Sequence, residues 1–274
     1  MPKIRLCSLL LVEERLLEAD YFARRLSRQR DTDRFRYYLN AFVAATRSVT
    51  FMLQKEMSAA PGFEAWWTQQ QASLAGDLAA SFFVKLRNLS QHQGRISLVG
   101  VTTSNGPRRK WSYRFAGNPD AVPAALLHRD AAECCREHLA KLARIVLACT
   151  EAFPFHSCPK RALTPDGVAT LQISLEDAEE TLGFPRGWSQ AAEPESQERR
   201  IRILSDHVDG LGFDAIRRLA KRKSKNTAAE PSASDLLSQD IAKALVVQLE
   251  RNRQVNNFEL AASLLLGGPV ERDV

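Results

Sequence analysis

The stretch KLRNLSQHQG, residues 85–94, holds Arg87, Asn88 and His92. A histidine titrates near neutrality and can take or give a proton. An arginine can clamp two oxygens of one phosphate. An amide side chain four residues ahead of a histidine shares its helix face and can orient the ring. These are the groups that strand cleavage by a neighbouring 2′-hydroxyl of RNA needs: a base for the hydroxyl proton, an acid for the departing 5′-oxygen, and positive charge beside the crowded phosphorane-like transition state. On a continuous helix five residues turn the chain by about 140°. Arg87 and His92 then diverge, and they can meet one phosphate only if the helix unwinds near His92 or a second copy of the chain completes the site. The divergence therefore predicts a homodimer in which the two RNLSQH segments approach each other.

The same R-x4-H spacing occurs at Arg202 and His207, in RILSDH. Context favours the first pair, because Asn88 is polar where the second pair has Ile203, a long apolar-striped segment precedes Arg87, and Gly94 offers a helix stop just beyond His92. On spacing alone a surface arginine and a helix-capping histidine remain the alternative for Arg87 and His92. One metal constellation can be written, with Cys134 and His138 four apart on a helix and His156 and Cys158 in a loop. It lacks CxxC spacing and needs the loop to fold back onto the helix, so no metal and no cofactor is assigned. No G-x-S-x-G, Walker loop, H-E-x-x-H or complete G-x-G-x-x-G is present. Serine hydrolase, NTPase, zincin and dinucleotide chemistries are left without a motif.

A chain of 274 residues, 45% of them hydrophobic, is long enough for one large domain or two small ones. Its five cysteines are odd in number and two are adjacent, which does not read as the disulfide framework of a secreted scaffold. The apolar run near the N-terminus meets Glu13 and Glu14 without a small-residue cleavage site, and no segment approaches membrane-spanning length. The expectation is a cytoplasmic protein with no membrane partner. Residues 199–225 carry nine Lys or Arg against three Asp, much of the chain's net +6, and so favour an anionic partner such as RNA.

The elements that must position these residues are long helices. Val12, Leu16, Ala19, Ala23 and Leu26 form one helical stripe; Phe35, Tyr38, Leu39, Phe42, Ala45, Val49, Met52 and Leu53 form a second, with Asp31–Asp33 as its cap. Pro61 and Gly62 break the chain, and a third helix resumes at Phe63 and runs through Leu74, Leu78, Phe82, Leu86 and Leu89 to Gly94. ISLVGVTT and KWSYRFAG around SNGPRR predict a β-hairpin over about residues 95–116. In its second strand Trp111, Tyr113 and Phe115 alternate with Lys110, Ser112 and Arg114, placing aromatics on the core and cations in water, or else exposing the aromatics as a base-stacking platform. A helix from Ala124 to Phe153 follows, with Leu127, Ala131, Cys135, Leu139, Leu142, Ile145 and Val146 on its apolar face.

Beyond about residue 160 the elements shorten. SLEDAEETLG reads as a helix capped by Ser174 and closed by Gly183, and FDAIRRLAKRK as a basic amphipathic helix. A flexible linker is expected near 223–234, then helical pattern over Leu236–Leu249 and FELAASLLL. The chain thus divides into a helical bundle with a hairpin insertion, residues 1–158, and a basic, mostly helical region, residues 159–274. If RNA binds, Lys110 and Arg114 on the hairpin and Arg217, Arg218 and Arg222 in the basic stretch are the cations placed to meet it.

A long amphipathic helix pair followed by a helix ending in Arg-polar-x3-His resembles the HEPN superfamily over residues 10–153, with the hairpin as an insertion before the last bundle helix. Arg87 and His92 match the signature pair and Asn88 its polar residue. The resemblance implies a mainly α, HEPN-like bundle that dimerises and cleaves RNA without metal, as a toxin or antiviral effector with a cognate antitoxin. It equally admits a catalytically silent module that binds RNA, a nucleotide or a protein.

Overall fold

Val12, Leu16, Ala19, Ala23 and Leu26, which recur at helical spacing, become the buried face of α1 (Leu10–Leu26). In the computed structural model residues 6–92, 96–105, 108–116, 122–192 and 196–222 are described, without the side chains of residues 92, 103–105, 108–109, 191 and 192. The chain is mainly α, with twelve helices and one two-stranded antiparallel sheet among these residues. No described helix is long and apolar enough to cross a membrane. Gly94, the linker near 223–234 and the helical patterns after Leu236 lie outside the described residues.

The second helix, α2 (Thr32–Met57), starts where Asp31 Oδ1 accepts from the Arg34 backbone N–H at 2.8 Å. This cap satisfies one of the amides that a helix start leaves unpaired. Phe35, Leu39, Phe42, Val49 and Leu53 are buried along α1, so the two helices form a hairpin.

The single third helix expected from the apolar spacing is two helices, α3 (Phe63–Gly76) and α4 (Leu78–His92). Asp77 is extended between them, and its Oδ1 accepts from the Ala80 N–H at 3.0 Å to open α4. Its other oxygen receives the Lys141 ammonium. Burial pushes the Asp77 carboxyl up, but the bonds from Lys141 and Ala80 outweigh it and hold the group below the usual range. The i, i+4 relation of Leu74 and Leu78 spans this break, and Leu78 is 72% exposed.

The hairpin follows. β1 (Leu98–Asn105) pairs with β2 (Arg108–Phe115) in a register running from Leu98↔Phe115 to Asn105↔Arg108. Exposure here depends on distance along the ribbon rather than on which face a residue occupies. Tyr113 and Phe115 are 2% exposed at the base, whereas Trp111 nearer the tip is 41% exposed. On the opposite face Lys110 is exposed, yet Arg114 is only 5% exposed and its Nη1 has no hydrogen-bond partner. The expected solvated cation at Arg114 is therefore corrected: β2 also packs against α5 (Ala124–Leu127) and α6 (Ala131–Ala152), so both faces of its base are covered. Tyr113 anchors the ribbon, ring against Phe35 at 4.4 Å, its hydroxyl donating to the Arg30 carbonyl oxygen. A two-stranded ribbon is marginal by itself, and this buried base holds it.

The helix expected from Ala124 to Phe153 is divided in turn into α5 and α6, because Asp130 caps α6 through the Ala132 N–H at 3.0 Å. α6 is the central helix of the bundle, in contact with α1, α2, α4, β2 and the last described helix, α12. Small buried residues, among them Ala132, Cys135, Ala143 and Cys149, let these neighbours approach closely. All five cysteines are buried thiols.

Five short helices follow: α7 (Pro159–Ala162), α8 (Pro165–Leu171), α9 (Leu175–Thr181), α10 (Trp188–Ala192) and α11 (Gln197–Asp206). They enclose a small core of Leu163, Val168, Ile173, Leu175, Ala178, Ile201 and Leu204. Ser174 caps α9 through the Asp177 N–H at 3.1 Å, and Gly183 beyond it has φ +85°. Glu179, fully buried, accepts from the Gly187 and Ser189 backbone N–H groups and pairs with Arg200 at 3.3 Å, so its charge is matched where it lies. The last described helix, α12 (Phe213–Ala220), returns to the main core with Ile216 and Leu219.

Candidate functional site

α4 buries Ala80, Phe82, Phe83 and Leu86 and exposes Val84, Lys85, Asn88 and Gln91, as its amphipathic spacing requires. Three aromatic contacts fix its roll: Phe82 on Phe115 at 5.0 Å, Phe83 on Phe42 at 6.1 Å, and Phe83 stacked on His138 at 4.3 Å. Arg87 lies half-buried at the edge of the exposed face, and Asn88 lies on that face. Arg87 Nη1 donates to Asn88 Oδ1 at 3.3 Å, and the Ser90 hydroxyl caps the Arg87 carbonyl oxygen at 2.9 Å. Just beyond the helix, Arg36 Nε of α2 donates to the Ile96 carbonyl oxygen at 3.3 Å and ties the outgoing chain to the bundle.

The backbone is helical through His92, whose side chain lies outside the described residues. The helix does not unwind before position 92, so Arg87 and His92 leave it about 140° apart while Asn88 and His92 share one strip. Of the expected trio, Arg87 and Asn88 are brought together within one chain.

Arg202 and His207 have a different setting. His207 follows α11 as its C-cap, and its Nδ1 donates to the Ile203 carbonyl oxygen at 2.8 Å. The ring is wedged edge-on between Phe184 and Trp188, 5.2 Å from each. That imidazole closes a helix and packs on aromatics. The metal constellation fares no better: burial pushes the Cys134 thiol up to about 12 and the His138 imidazole down to about 3. A thiol this reluctant to ionise is a poor metal ligand, and among the described residues no three His, Cys, Asp or Glu side chains converge to hold a metal.

The five cations expected to meet RNA are placed unequally. Arg217 and Arg218 of α12 are exposed; Arg217 makes a 3.4 Å pair with Asp214 and lies 5.8 Å over the Phe213 ring. Lys110 is exposed and pairs with Asp130 at 3.3 Å. Arg222 neutralises the buried carboxylate of Asp20, and Arg114 is covered, so neither presents a free cation to a phosphate. What the sequence reading missed is the pairing of Trp67 with His138 in the wall of one cavity, described below. No local signal links residues from helices so far apart. The Gly76-Asp77 pair, by contrast, is a stop-and-cap signal that would have located the start of α4.

Residues 4–129 match the family described as bacteriophage lambda protein ea47. The match covers just under half of the chain and takes in α1–α5, the hairpin and the Arg87–His92 segment. No curated protein and no solved structure matches.

Proposed function

We propose that the chain is a metal-independent endoribonuclease of the HEPN type, acting as a homodimer. The observation that carries this reading is the Arg87–Asn88 bond at the accessible end of α4, on a helix that continues unbroken to His92. In this reading His92 takes the proton of a 2′-hydroxyl, the 2′-oxygen attacks the adjacent phosphorus, and the 5′-oxygen leaves with a proton from the acid partner. A 2′,3′-cyclic phosphate and a free 5′-hydroxyl result. Arg87 neutralises charge on the phosphorane-like transition state. Asn88 holds the guanidinium through its oxygen and has its amide N–H groups left to orient His92. Because Arg87 and His92 diverge on one helix, the arginine of one copy and the histidine of the other form the working set. A cytoplasmic setting and a role as toxin or antiviral effector, restrained by a cognate antitoxin, belong to the same proposal.

The second reading is a catalytically silent HEPN-like module that binds RNA, a nucleotide or a protein. On its side stands the engagement of the Asn88 oxygen by Arg87 within the same chain, which occupies both groups. Single-stranded RNA incubated with the purified chain in EDTA and resolved on a denaturing gel separates the two. The nuclease gives fragments ending in cyclic phosphate, and His92→Ala gives none; identical fragments from both proteins leave only the binding module.

A further inference from the structure

A cavity of about 340 Å³ opens between α2, α3 and α4, apart from Arg87 and Asn88. Val43, Leu74, Phe83 and Leu142 make its wall predominantly apolar. Two wall residues break that pattern. Trp67 and His138 are 4% and 9% exposed, and each buries a ring nitrogen, Trp67 Nε1 and His138 Nδ1, that has no hydrogen-bond partner. Buried polar atoms in native proteins are nearly always paired, and an indole N–H is a donor that only an acceptor can satisfy.

The charge around this cavity has one sign. Arg47 of α2 and Lys85 of α4 line it and are exposed, and no lining residue is acidic. His138 adds no charge near neutral pH, since burial pushes its pKa down to about 3. An occupant complementary to these groups has an apolar body, an oxygen acceptor within reach of the tryptophan N–H, and an anionic end for the two cations.

We propose that the α2–α3–α4 cavity binds a small keto acid with a ring-sized apolar body, its carbonyl oxygen accepting from Trp67 Nε1 and its carboxylate held by Arg47 and Lys85. The apolar body lies against Phe83 and Leu142. This site is independent of the ribonuclease reading, because none of the groups proposed for cleavage lines it.

The test uses 3-benzoylpropionate as probe and the indole ¹⁵N–¹H resonance of Trp67 as readout, assigned with Trp67→Phe. Two matched compounds divide the contacts: 4-phenylbutyrate lacks the ketone, and 3-benzoylpropionamide lacks the charge. The keto acid should shift the Trp67 resonance saturably, and each comparison compound should bind about three- to tenfold more weakly, as expected for one lost hydrogen bond or rim charge. The Arg47→Gln/Lys85→Gln protein changes two exposed side chains and should stay folded, with an otherwise unaltered amide spectrum. In it the preference for acid over amide should vanish, while Arg28→Gln, on another exposed arginine, should retain it. The proposal is overturned if the keto acid gives no saturable shift, if it binds no more tightly than both comparison compounds, or if the double variant keeps the acid preference.

Discussion

Glu13 and Gly212, 199 positions apart, are joined by a 2.9 Å hydrogen bond from the Gly212 backbone N–H to Glu13 Oε2. The bond ties the start of α12 to α1, and a Cβ at position 212 would strike the Glu13 carboxylate. Glu13→Ala should cost about 1–2 kcal/mol, the usual penalty for losing a hydrogen bond to a charged acceptor. Gly212→Ala should also destabilise, because it displaces that carboxylate. The double variant should lose less than the sum of the two, since both remove the same contact. Urea unfolding of the three proteins measures this.

If the cleavage reading holds, His92→Ala should lower the rate by about 10² to 10⁴, the range for loss of a proton-transfer group. Asn88→Ala should cost less, because it removes an orienting bond. Arg202→Ala and His207→Ala should leave the rate nearly unchanged, the latter while lowering stability through the lost Ile203 contact. Sedimentation equilibrium at micromolar concentration should find a dimer; a monomer would remove the composite site and leave the fold untouched.

His138 makes stability depend on pH in a definite direction. Its folded pKa, about 3, lies below the ordinary 6.5 because of burial, reinforced by the nearby Lys141 charge and opposed by Asp77. Above pH 6.5 both states hold a neutral ring and its contribution is complete. As the pH falls from 6.5 towards 3 the unfolded chain takes up a proton that the folded one refuses, and stability drops by at most about 1.4 kcal/mol per pH unit. His156, lowered by partial burial, acts in the same sense. Urea midpoints taken from about pH 7 down to about pH 5 should fall for the native chain and fall less steeply for His138→Phe, whatever that variant's absolute stability.

Arg114 is a covered cation with one unpaired nitrogen. Replacing such a group by an apolar one of similar length is commonly neutral or stabilising by about 1–4 kcal/mol. Arg114→Met should therefore leave the unfolding temperature unchanged or raise it, and should leave RNA affinity unaltered. Arg218→Gln, on the exposed face of α12, should weaken RNA binding in a salt-dependent way. A filter-binding titration at two salt concentrations reads both.

The buried faces of α1, α2 and α6 were legible because each depends on a period that solvent exclusion imposes along one helix; Val12, Leu16, Phe42, Leu53 and Leu139 all lie where their spacing put them. The caps at Asp31 and Ser174 were legible for the same local reason. Periodicity ran on through Asp77 and Asp130, because a capping carboxylate can end one helix and open another without interrupting the apolar rhythm on either side. Burial of Arg114 depends on α5 and α6 closing over a strand, which alternation within that strand does not encode. At the candidate site the common face of Asn88 and position 92 followed from spacing, whereas the Arg87–Asn88 bond required the observed rotamers.

The five enclosed thiols give the fold a built-in clock. Three of them, Cys134, Cys135 and Cys149, sit on α6, and Cys7 and Cys158 lie on the segments leading into α1 and α7. Burial pushes the α6 thiols up, so an alkylating reagent near neutral pH meets almost no thiolate while the bundle is closed. Labelling at each position therefore waits for the surrounding helices to part. Mass-resolved modification of Cys7 and Cys158 against the α6 trio reports, in one unaltered polypeptide, the order in which the edges and the centre of the bundle open.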